Sequence, residues 1–472
     1  MLQTLKNAWR TKDIRSKLIF TFFILLLYRI GAVIPVPFVD ARAYAGNFSG
    51  TMIDYLNVLS GGSLGQGTLF ALGVSPYINS SIIIQLLAVV FPKLGEISKT
   101  DKKKMGFITR ITTVILAIVT ALGFYFLIAK GQIYGLQLIP EAQSGVGDFA
   151  WMYAIVIIAC FVAGASLVMW LADRINEHGI GNGVSMILFA NIVVALPNQL
   201  IELVNLAINT FTYAMPGRIW YATVAIAFAV LLVAVILAMT VFVIFINGSE
   251  RRIPVQYAKR VVGRKMYGGQ SSNLPIKLNM TGVMPVIFAS SIVSLVPTIL
   301  SLFQIDGTGD SGWDTFARII GTDGVIYPIV FFILIIAFAY FYTQITFDPV
   351  EVANNLKKQG GAIPGIRQGR PTSDYIKKIL NKITLAGALF LSVVAVVPVI
   401  AGPHAIRPLI QWIYSGFSDY ETYKASYATL AKQMSGVFTF GGTSLIIVIG
   451  VALETFRELE AQLTMRNYKG FL

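Results

Sequence analysis

Long apolar stretches recur along the whole chain, separated by shorter segments rich in charge, glycine and proline. A helix that crosses a bilayer needs about 20 predominantly apolar residues. By this criterion the pattern predicts ten spans: Leu18–Ile34, Phe70–Phe91, Phe107–Ala129, Trp151–Ala172, Val184–Val204, Trp220–Ile246, Met284–Phe303, Val325–Tyr342, Ile383–Ile400 and Phe438–Thr455. The hydrophobic fraction of 56% and charged fraction of 13% agree with this pattern. The chain is therefore predicted to be an all-α polytopic membrane protein.

Basic residues are concentrated in alternate loops. If the N-terminus is cytoplasmic, 29 of the 37 Lys and Arg lie in cytoplasmic segments and 7 in outer ones, with Arg29 near enough to the outer interface to snorkel. Because cytoplasmic loops carry such an excess, both termini are predicted to be cytoplasmic. This distribution accounts for most of the formal charge of +14, so the charge does not imply a nucleic-acid partner. Two loops, 247–279 and 348–382, are more basic than orientation requires and are predicted to dock a large anionic partner.

The segment Met52–Gly67, between the first and second spans, has apolar residues at helical spacing but is too short to cross a bilayer. Backbone at membrane depth that does not span is tolerated only when it is buried in protein or faces water. We therefore interpret the segment as a half-helix that re-enters the membrane or caps a cavity. An amphipathic segment lying on the outer surface is the alternative.

Two further segments permit more than one interpretation. The second span is rich in small and polar residues, which mark either close helix packing or a hydrated path. The run HGIGNG at 178–183 has the glycine content of a phosphate-binding loop, but a dinucleotide fingerprint requires a preceding strand and here a predicted span precedes it. A tight cytoplasmic hairpin is the favoured interpretation.

Little in the sequence favours catalysis. His178 and His404 are the only histidines, no His, Asp and Glu residues have metal-ligand spacing, and Cys160 is the only cysteine. Ionisable residues are also absent from the centres of the predicted spans, unlike in proton-coupled transporters. We therefore predict no catalytic residue, no metal and no cofactor, and a passive conduit driven by a partner. An inverted-repeat secondary transporter is the main alternative, and a membrane-embedded enzyme the next.

Five segments together closely resemble the SecY family of bacterial protein translocons over nearly the whole length. They are LFALGVSPYINSSIIIQLL, WLADRINEHGIGNGVSMILF, the loop that begins RRIPVQYAKRVVGRKMYGGQ, ANNLKKQGGAIPGIRQGR and GGTSLIIVIGVALE. The resemblance implies ten helices in two pseudosymmetric inverted halves, residues 1–207 and 219–472, joined by a hinge at 208–218. It also implies that the half-helix 52–67 is a re-entrant plug.

The resemblance further implies four groups of functional residues. The pore ring is formed by Ile78, Ile82, Leu188, Ile192, Ile287 and Ile447. The plug contributes Asp54, Leu56, Leu59, Gly61, Gly62 and Leu64. The lateral gate includes Asn79, Gln85, Ile287 and Ser290. Candidates for docking a motor or ribosome are Arg251, Arg252, Arg264, Lys265 and Arg367. From composition alone, ordinary helix packing would explain the ring isoleucines equally well.

The function implied by the resemblance is a protein-conducting channel in the bacterial plasma (inner) membrane. Such a channel passes unfolded secretory polypeptides across the membrane and releases transmembrane segments sideways into lipid. The implied partners are the SecE and SecG subunits, the SecA ATPase, the ribosome through its RNA, signal peptides and secretory preproteins, and membrane lipids, including anionic ones.

Overall fold

The computed structural model describes residues 2–40, 57, 60–129, 137–138, 150–195, 197, 201, 219–257, 260–262, 265–267, 271–302, 312, 315–316, 319, 324, 326–415 and 444–465. The first half contains the helices α1 (Leu2–Arg10), α2 (Lys12–Gly31), α3 (Ser75–Val90), α4 (Pro92–Thr100), α5 (Lys102–Ala129), α6 (Ala150–His178) and α7 (Gly183–Ala195). The second contains α8 (Ile219–Gly248), α9 (Met284–Leu302), α10 (Ile326–Thr346), α11 (Pro349–Lys358), α12 (Arg370–Ala401), α13 (Arg407–Ser415) and α14 (444–465).

Each of the ten predicted spans overlaps one of these helices within the described residues. In the described part of the chain, four helical stretches are long and apolar enough to cross a membrane, and a fifth if the bent pair α3 and α4 counts as one. Helix α7 and segments of α8 and α9 are shorter apolar helices. The predicted hinge 208–218 lies outside the described residues, so the division into halves 1–207 and 219–472 stays a prediction.

The second predicted span differs most from expectation. Its helix begins at Ser75 rather than Phe70, because residues 70–74 form turns in which Gly73 has a φ of +55°. Pro76 is accommodated in the first turn, where no backbone N–H is needed. At the other end Pro92 favours an extended Phe91, with φ −101° and ψ 110°, so α4 leaves α3 at 117°.

The largest buried cluster contains residues from both predicted halves. Side chains of α2, α3, α6 and α7 pack there with side chains of α8, α9, α10, α12 and α14. A second cluster lies within the first half, between α5, α6 and residues 64–72. Large apolar side chains remain exposed on outward faces, such as Phe22 at 68% and Phe245 at 72%. Exposure of this extent is typical of surfaces that face lipid or another protein.

A small antiparallel sheet joins the two basic loops, a feature the sequence analysis missed. Strand β3 (Glu250–Tyr257) pairs along its length with β6 (Ser271–Lys277), and its end pairs with β7 (Gly361–Ala362). Shorter strands pair as β1 (Val39–Asp40) with β2 (Gln137–Leu138), and as β4 (Arg260–Val262) with β5 (Lys265–Tyr267). We call β3, β6, β7, α11 and the first turns of α12 the loop subdomain. Its buried core consists of Ile253, Val255, Ile276, Leu356, Ile363, Ile376 and Leu380.

Candidate channel site and docking surface

The six residues expected to form the pore ring all lie in the largest buried cluster. Ile78 and Ile82 are four residues apart on one face of α3, as are Leu188 and Ile192 on α7. Ile287 belongs to the first turn of α9 and Ile447 to α14. The exposed fraction of these six residues lies between zero, at Ile192, and 4%, at Ile78. The fold thus brings branched apolar side chains from four helices, distant in sequence, into one buried cluster.

Only part of the expected plug is described. Asp54, Leu56 and Leu59 lie outside the described residues, whereas Gly61, Gly62 and Leu64 lie within them. Asn57 is helical and residues 60–67 form consecutive turns, in which Gly61 and Gly62 have φ values of +68° and +87°. A residue with a side chain would be strained at either position. This turn therefore depends on having glycine at both.

Residues 60–69 are held to the end of the first span by backbone hydrogen bonds. Val36 N donates to Gly67 O at 3.0 Å, and Leu69 N donates to Ile34 O at 2.9 Å. Asn57 closes the preceding turns, since its Oδ1 accepts from Gly65 N at 2.8 Å and its carbonyl accepts from Gly62 N at 2.8 Å. This end of the segment is therefore folded against the protein.

Arg29 contacts the turn 60–67, a partner that the sequence did not indicate. Its guanidinium is half-buried, and Nη1 donates to the carbonyl of Gly61 at 3.2 Å. The preceding Tyr28 is fully buried, stacks on Phe70 with 5.3 Å between ring centroids, and its hydroxyl accepts from Asn191 Nδ2 at 2.9 Å. Arg29 is thus directed at the turn 60–67.

The expected gate residues lie on helices that pack together, since α9 contacts α3, α5 and α10. Gln85 of α3 donates to Ser81 Oγ at 2.9 Å, and its side chain lies close to that of Tyr342 of α10. Ser290 is buried and donates to Ile287 O at 2.8 Å, while Asn79 is half-buried. Gln85 of one side of the expected gate therefore lies beside Tyr342 of the other. Tyr342 was not identified from the sequence, because nothing in its own segment signals a partner.

A charged cluster connects α3, α5 and α6. Asp173 Oδ2 accepts from Arg110 Nε at 2.9 Å and lies 2.8 Å from Arg110 Nη2, while its Oδ1 accepts from the Tyr77 hydroxyl at 3.1 Å. The carboxylate is shielded, with 16% of the Asp173 side chain exposed. From the sequence, Arg110 contributes only to the predicted orientation, because its pairing with Asp173 depends on how α5 and α6 pack.

The glycine run at 179–183 forms a hairpin between α6 and α7. Side chains accept hydrogen bonds from backbone N–H groups in and beside this run. Gly183 N donates to Asn176 Oδ1 at 2.8 Å, and Val184 N donates to Asn182 Oδ1 at 3.0 Å. Gly181 donates to Glu458 Oε2 of α14 at 3.0 Å. A helix precedes the run where a dinucleotide fingerprint needs a strand, which supports the hairpin interpretation.

Three of the five docking candidates have described, exposed side chains on the loop subdomain. Arg251 and Arg252 lie on β3 and Arg367 on the turn before α12, with Arg252 paired to Glu250 at 2.7 Å. Lys265 begins β5, and Arg264 lies outside the described residues. Alternation along β3 explains part of the exposure, because Ile253 and Val255 face the core.

Cationic side chains also extend beyond these candidates. Lys357 and Lys358 end α11, where a positive charge is favoured by the helix dipole. In β6, burial lowers the pKa of Lys277 from its ordinary value, and the nearby Arg457 lowers it further. Glu250 and Glu454 oppose this shift. Bringing the two basic loops together thus places their cationic side chains on one subdomain.

Comparisons with known proteins agree with this architecture. The SecY family model matches residues 68–456. The Protein translocase subunit SecY of Streptomyces galbus is 39% identical, and that of Mycobacterium tuberculosis is 38% identical, each over the full length of both chains. Among solved structures, a protein conducting channel aligns with a TM-score of 0.58 at 17% identity, covering 95% of this chain and 92% of that one. Sec61 in a canine ribosome-channel complex aligns with a TM-score of 0.56 at 17% identity and the same coverage.

The structural likeness defines the fold as that of protein-conducting membrane channels, which confirms the predicted fold class. Because full-length relatives share well over 30% of their residues with it, the chain belongs to the SecY family. The resemblance identified from the five segments is thereby confirmed, and the likeness to channels does not favour the transporter alternative.

Proposed function

We propose that this chain is the channel-forming subunit of a bacterial protein translocase. In this role it passes unfolded secretory polypeptides across the plasma membrane and releases transmembrane segments sideways into lipid. The observation that carries the proposal is the meeting of Ile78, Ile82, Leu188, Ile192, Ile287 and Ile447 in one buried cluster that spans both predicted halves.

The ring supplies the seal. Branched apolar side chains give a narrow passage no favourable hydration, so water and ions are held back at rest. The same side chains offer no hydrogen bonds that bind a passing peptide strongly. The segment 52–67 adds a second barrier as a plug, in keeping with a solved SecY structure, similar at a TM-score of 0.56, in which the plug domain stabilises the closed state and maintains a membrane seal. No step of this process requires a catalytic residue, a metal or a cofactor.

The gate lies between α3 and α5 on one side and α9 and α10 on the other. Asn79, Gln85, Ile287 and Ser290 are our candidates for its lining, and Gln85 with Tyr342 is a polar contact that opening must break. Release into lipid is a partition step, in which a central Leu or Ile contributes about −0.3 to −0.6 kcal/mol and a charge costs about 2.5 to 3.5 kcal/mol. Apolar segments therefore leave and polar ones continue across.

The loop subdomain is the proposed docking site for the energy source, either the SecA ATPase or the translating ribosome. Its exposed Arg251, Arg252 and Arg367 suit an anionic surface, and contact with ribosomal RNA would be backbone-directed and sensitive to salt. The similarity to a channel solved in a ribosome complex supports the ribosome as one partner. We further propose SecE and SecG as accessory subunits, signal peptides and preproteins as substrates, and anionic lipid around the basic loops.

The proposed location is the bacterial plasma membrane, with both termini cytoplasmic. The bacterial relatives support the location, and the 29-to-7 distribution of basic residues supports the orientation. Cysteine labelling in a Cys160→Ala background should modify positions 251 and 367 from the same side as position 6. Labelling of these positions from the opposite side contradicts the orientation.

Reconstitution tests the function as a whole. The chain and its co-purifying subunits in proteoliposomes should protect a preprotein from added protease when SecA and ATP are present. Omitting ATP is the control. If the protein assembles normally but protects no preprotein, the proposal is contradicted. If the protein instead accumulates a small solute on an ion gradient, the transporter is favoured.

A further inference from the structure

We propose that Asn247, Asn279 and Arg457 form a polar joint through which docking on the loop subdomain moves α9. The inference rests on the proposed function, because it names how a docked partner would act on the channel. Asn247 lies at the end of α8, Asn279 between β6 and α9, and Arg457 in α14. All three are positioning residues, since they act through the helix that they hold.

The two ends of the first basic loop are held together at the polar joint. Asn279 Nδ2 donates to Asn247 Oδ1 at 2.7 Å, and both residues are buried. Beside this pair, Leu278 N donates to Ser249 O at 3.0 Å, and the pairing of β3 with β6 begins directly beyond. The strand that carries the docking candidate Arg251 therefore leaves the polar joint as part of one hydrogen-bonded ladder. Buried hydrogen bonds of this kind are strengthened by the low local dielectric.

The polar joint is attached directly to the start of α9. Asn279 Nδ2 also donates to the Gly282 carbonyl at 3.0 Å, and α9 begins shortly afterwards at Met284. Gly282 has a φ of +63°, a conformation that favours glycine and turns the chain from the loop into the helix. A displacement of Asn279 is therefore passed to the helix that carries the ring and gate candidates Ile287 and Ser290.

Helices α14 and α12 pack against the polar joint from the second half. Arg457 donates to the backbone carbonyl at the end of α8. A Cβ added to Gly450 of α14 would overlap the Val283 side chain. A Cβ added to Gly387 of α12 would overlap the Leu278 carbonyl. Both helices thus lie against the segment that precedes α9 without a side chain between them, and packing this close transmits displacement.

The neighbouring residue of α14 holds the first half. Glu458 accepts from Gly181 N at 3.0 Å, in the hairpin between α6 and α7. Arg457 and Glu458 thus attach α8 and this hairpin to α14 side by side. A docked partner that moves the loop subdomain relative to α14 would therefore also move α9 relative to the first half. This is the displacement that opening a gate between α3 and α9 requires.

The test measures the response of the gate to docking, in the assembled complex with its co-purifying subunits. Val89→Cys in α3 and Ile345→Cys in α10, both at exposed positions, carry spin labels in a Cys160→Ala background. SecA with a non-hydrolysable ATP analogue is the docking probe. We expect SecA to change the distance between the two labels in the protein with an intact polar joint.

Variants of the polar joint should keep docking and lose this response. Asn279→Ala and Arg457→Met should bind SecA within about twofold of the parent, because neither residue is exposed with the docking candidates. Both should lose most of the SecA-induced change in label distance. Arg457→Lys, which retains a donor for the carbonyl, should keep the change. Asn176→Ala is the matched control, since it also removes a side-chain hydrogen bond, to Gly183 N, but away from the polar joint.

The outcomes separate the polar joint from the proposed function. If Asn279→Ala and Arg457→Met respond as the parent does, the polar joint is wrong and the docking function stands. An equal loss of response in Asn176→Ala, or in Arg457→Lys, also overturns it, because general loosening would then explain the effect. If Asn279→Ala does not assemble, Arg457→Met decides alone. If SecA neither binds the parent nor changes its label distance, the docking function fails and the polar joint with it.

Discussion

The carboxylate of Glu458, in the last helix, accepts a hydrogen bond from the backbone N–H of Gly181, at the tip of the hairpin between α6 and α7, at 3.0 Å. The neighbouring Arg457 donates to the carbonyl of Asn247, at the end of α8. Helix α14 therefore contacts both predicted halves through adjacent residues on the side where the basic loops lie. Further along α14, Gln462 accepts from Lys17 Nζ at 3.4 Å.

Removing the Glu458 carboxylate should loosen this attachment. We expect Glu458→Ala to lower the stability of the purified protein by about 1 to 2 kcal/mol, because Gly181 loses an ionised acceptor. Glu460→Ala is the matched control, since Glu460 is exposed and has only a 3.5 Å contact with Thr4. Thermal unfolding followed by gel filtration measures both, and equal losses would show that the Gly181 contact contributes nothing specific.

The Asp173 cluster should matter more than an ordinary surface pair. Asp173→Asn leaves Arg110 and Tyr77 without an ionised acceptor between three helices. We therefore expect the free energy of unfolding to fall by about 2 kcal/mol. Glu177→Gln disrupts the exposed pair of Glu177 with Arg174 and should lower the free energy of unfolding by less than about 1 kcal/mol. Denaturant unfolding in detergent compares the two variants. A larger loss at Glu177 would contradict the ranking.

Polar substitution in the ring should open it to water. We expect Ile82→Ser and Ile287→Ser each to raise the resting ion conductance, because a hydroxyl makes an apolar constriction easier to wet. Combining them with deletion of 52–67 should raise it further. Single-channel recording measures the effect, with Ile115→Ser on the exposed face of α5 as the control. Parent-like conductance in the combined variant would place the ring residues outside the pore.

Charge reversal on the loop subdomain should uncouple the energy source. Arg367→Glu is expected to abolish SecA-driven transport while the protein still inserts and assembles, because an exposed side chain has little part in folding. Lys103→Glu, exposed at the start of α5 and outside both docking loops, is the control with the same charge change. Transport of a preprotein into proteoliposomes distinguishes them. Normal transport by Arg367→Glu would mean that the docking surface lies elsewhere.

Lys277 should make stability depend on pH in the alkaline range. Burial, followed by repulsion from Arg457, lowers its pKa in the folded protein below the ordinary 10.5. The unfolded chain therefore binds more protons between the two values, and this residue's contribution raises stability as pH increases toward 10.5. Lys277→Met should show a shallower rise than Lys382→Met in unfolding measured across that range. Identical slopes would show that Lys277 is not perturbed.

The sequence by itself predicted where the apolar helices lie, because about 20 apolar residues in succession are placed in a membrane by their own transfer free energy. Charge distribution predicted the orientation for a similarly local reason. The five matching segments were sufficient to predict the family. The same segments indicated the ring positions, and the structure places all six in one buried cluster.

Only the tertiary structure decided which distant groups meet. The pairing of β3 with β7 joins two loops about 100 residues apart, and no local pattern encodes that register. Arg110 with Asp173, Gln85 with Tyr342, and Arg29 with Gly61 likewise depend on helix packing. A polar side chain in a span shows that a partner is needed, but its identity follows from the neighbour that packing brings within about 3 Å.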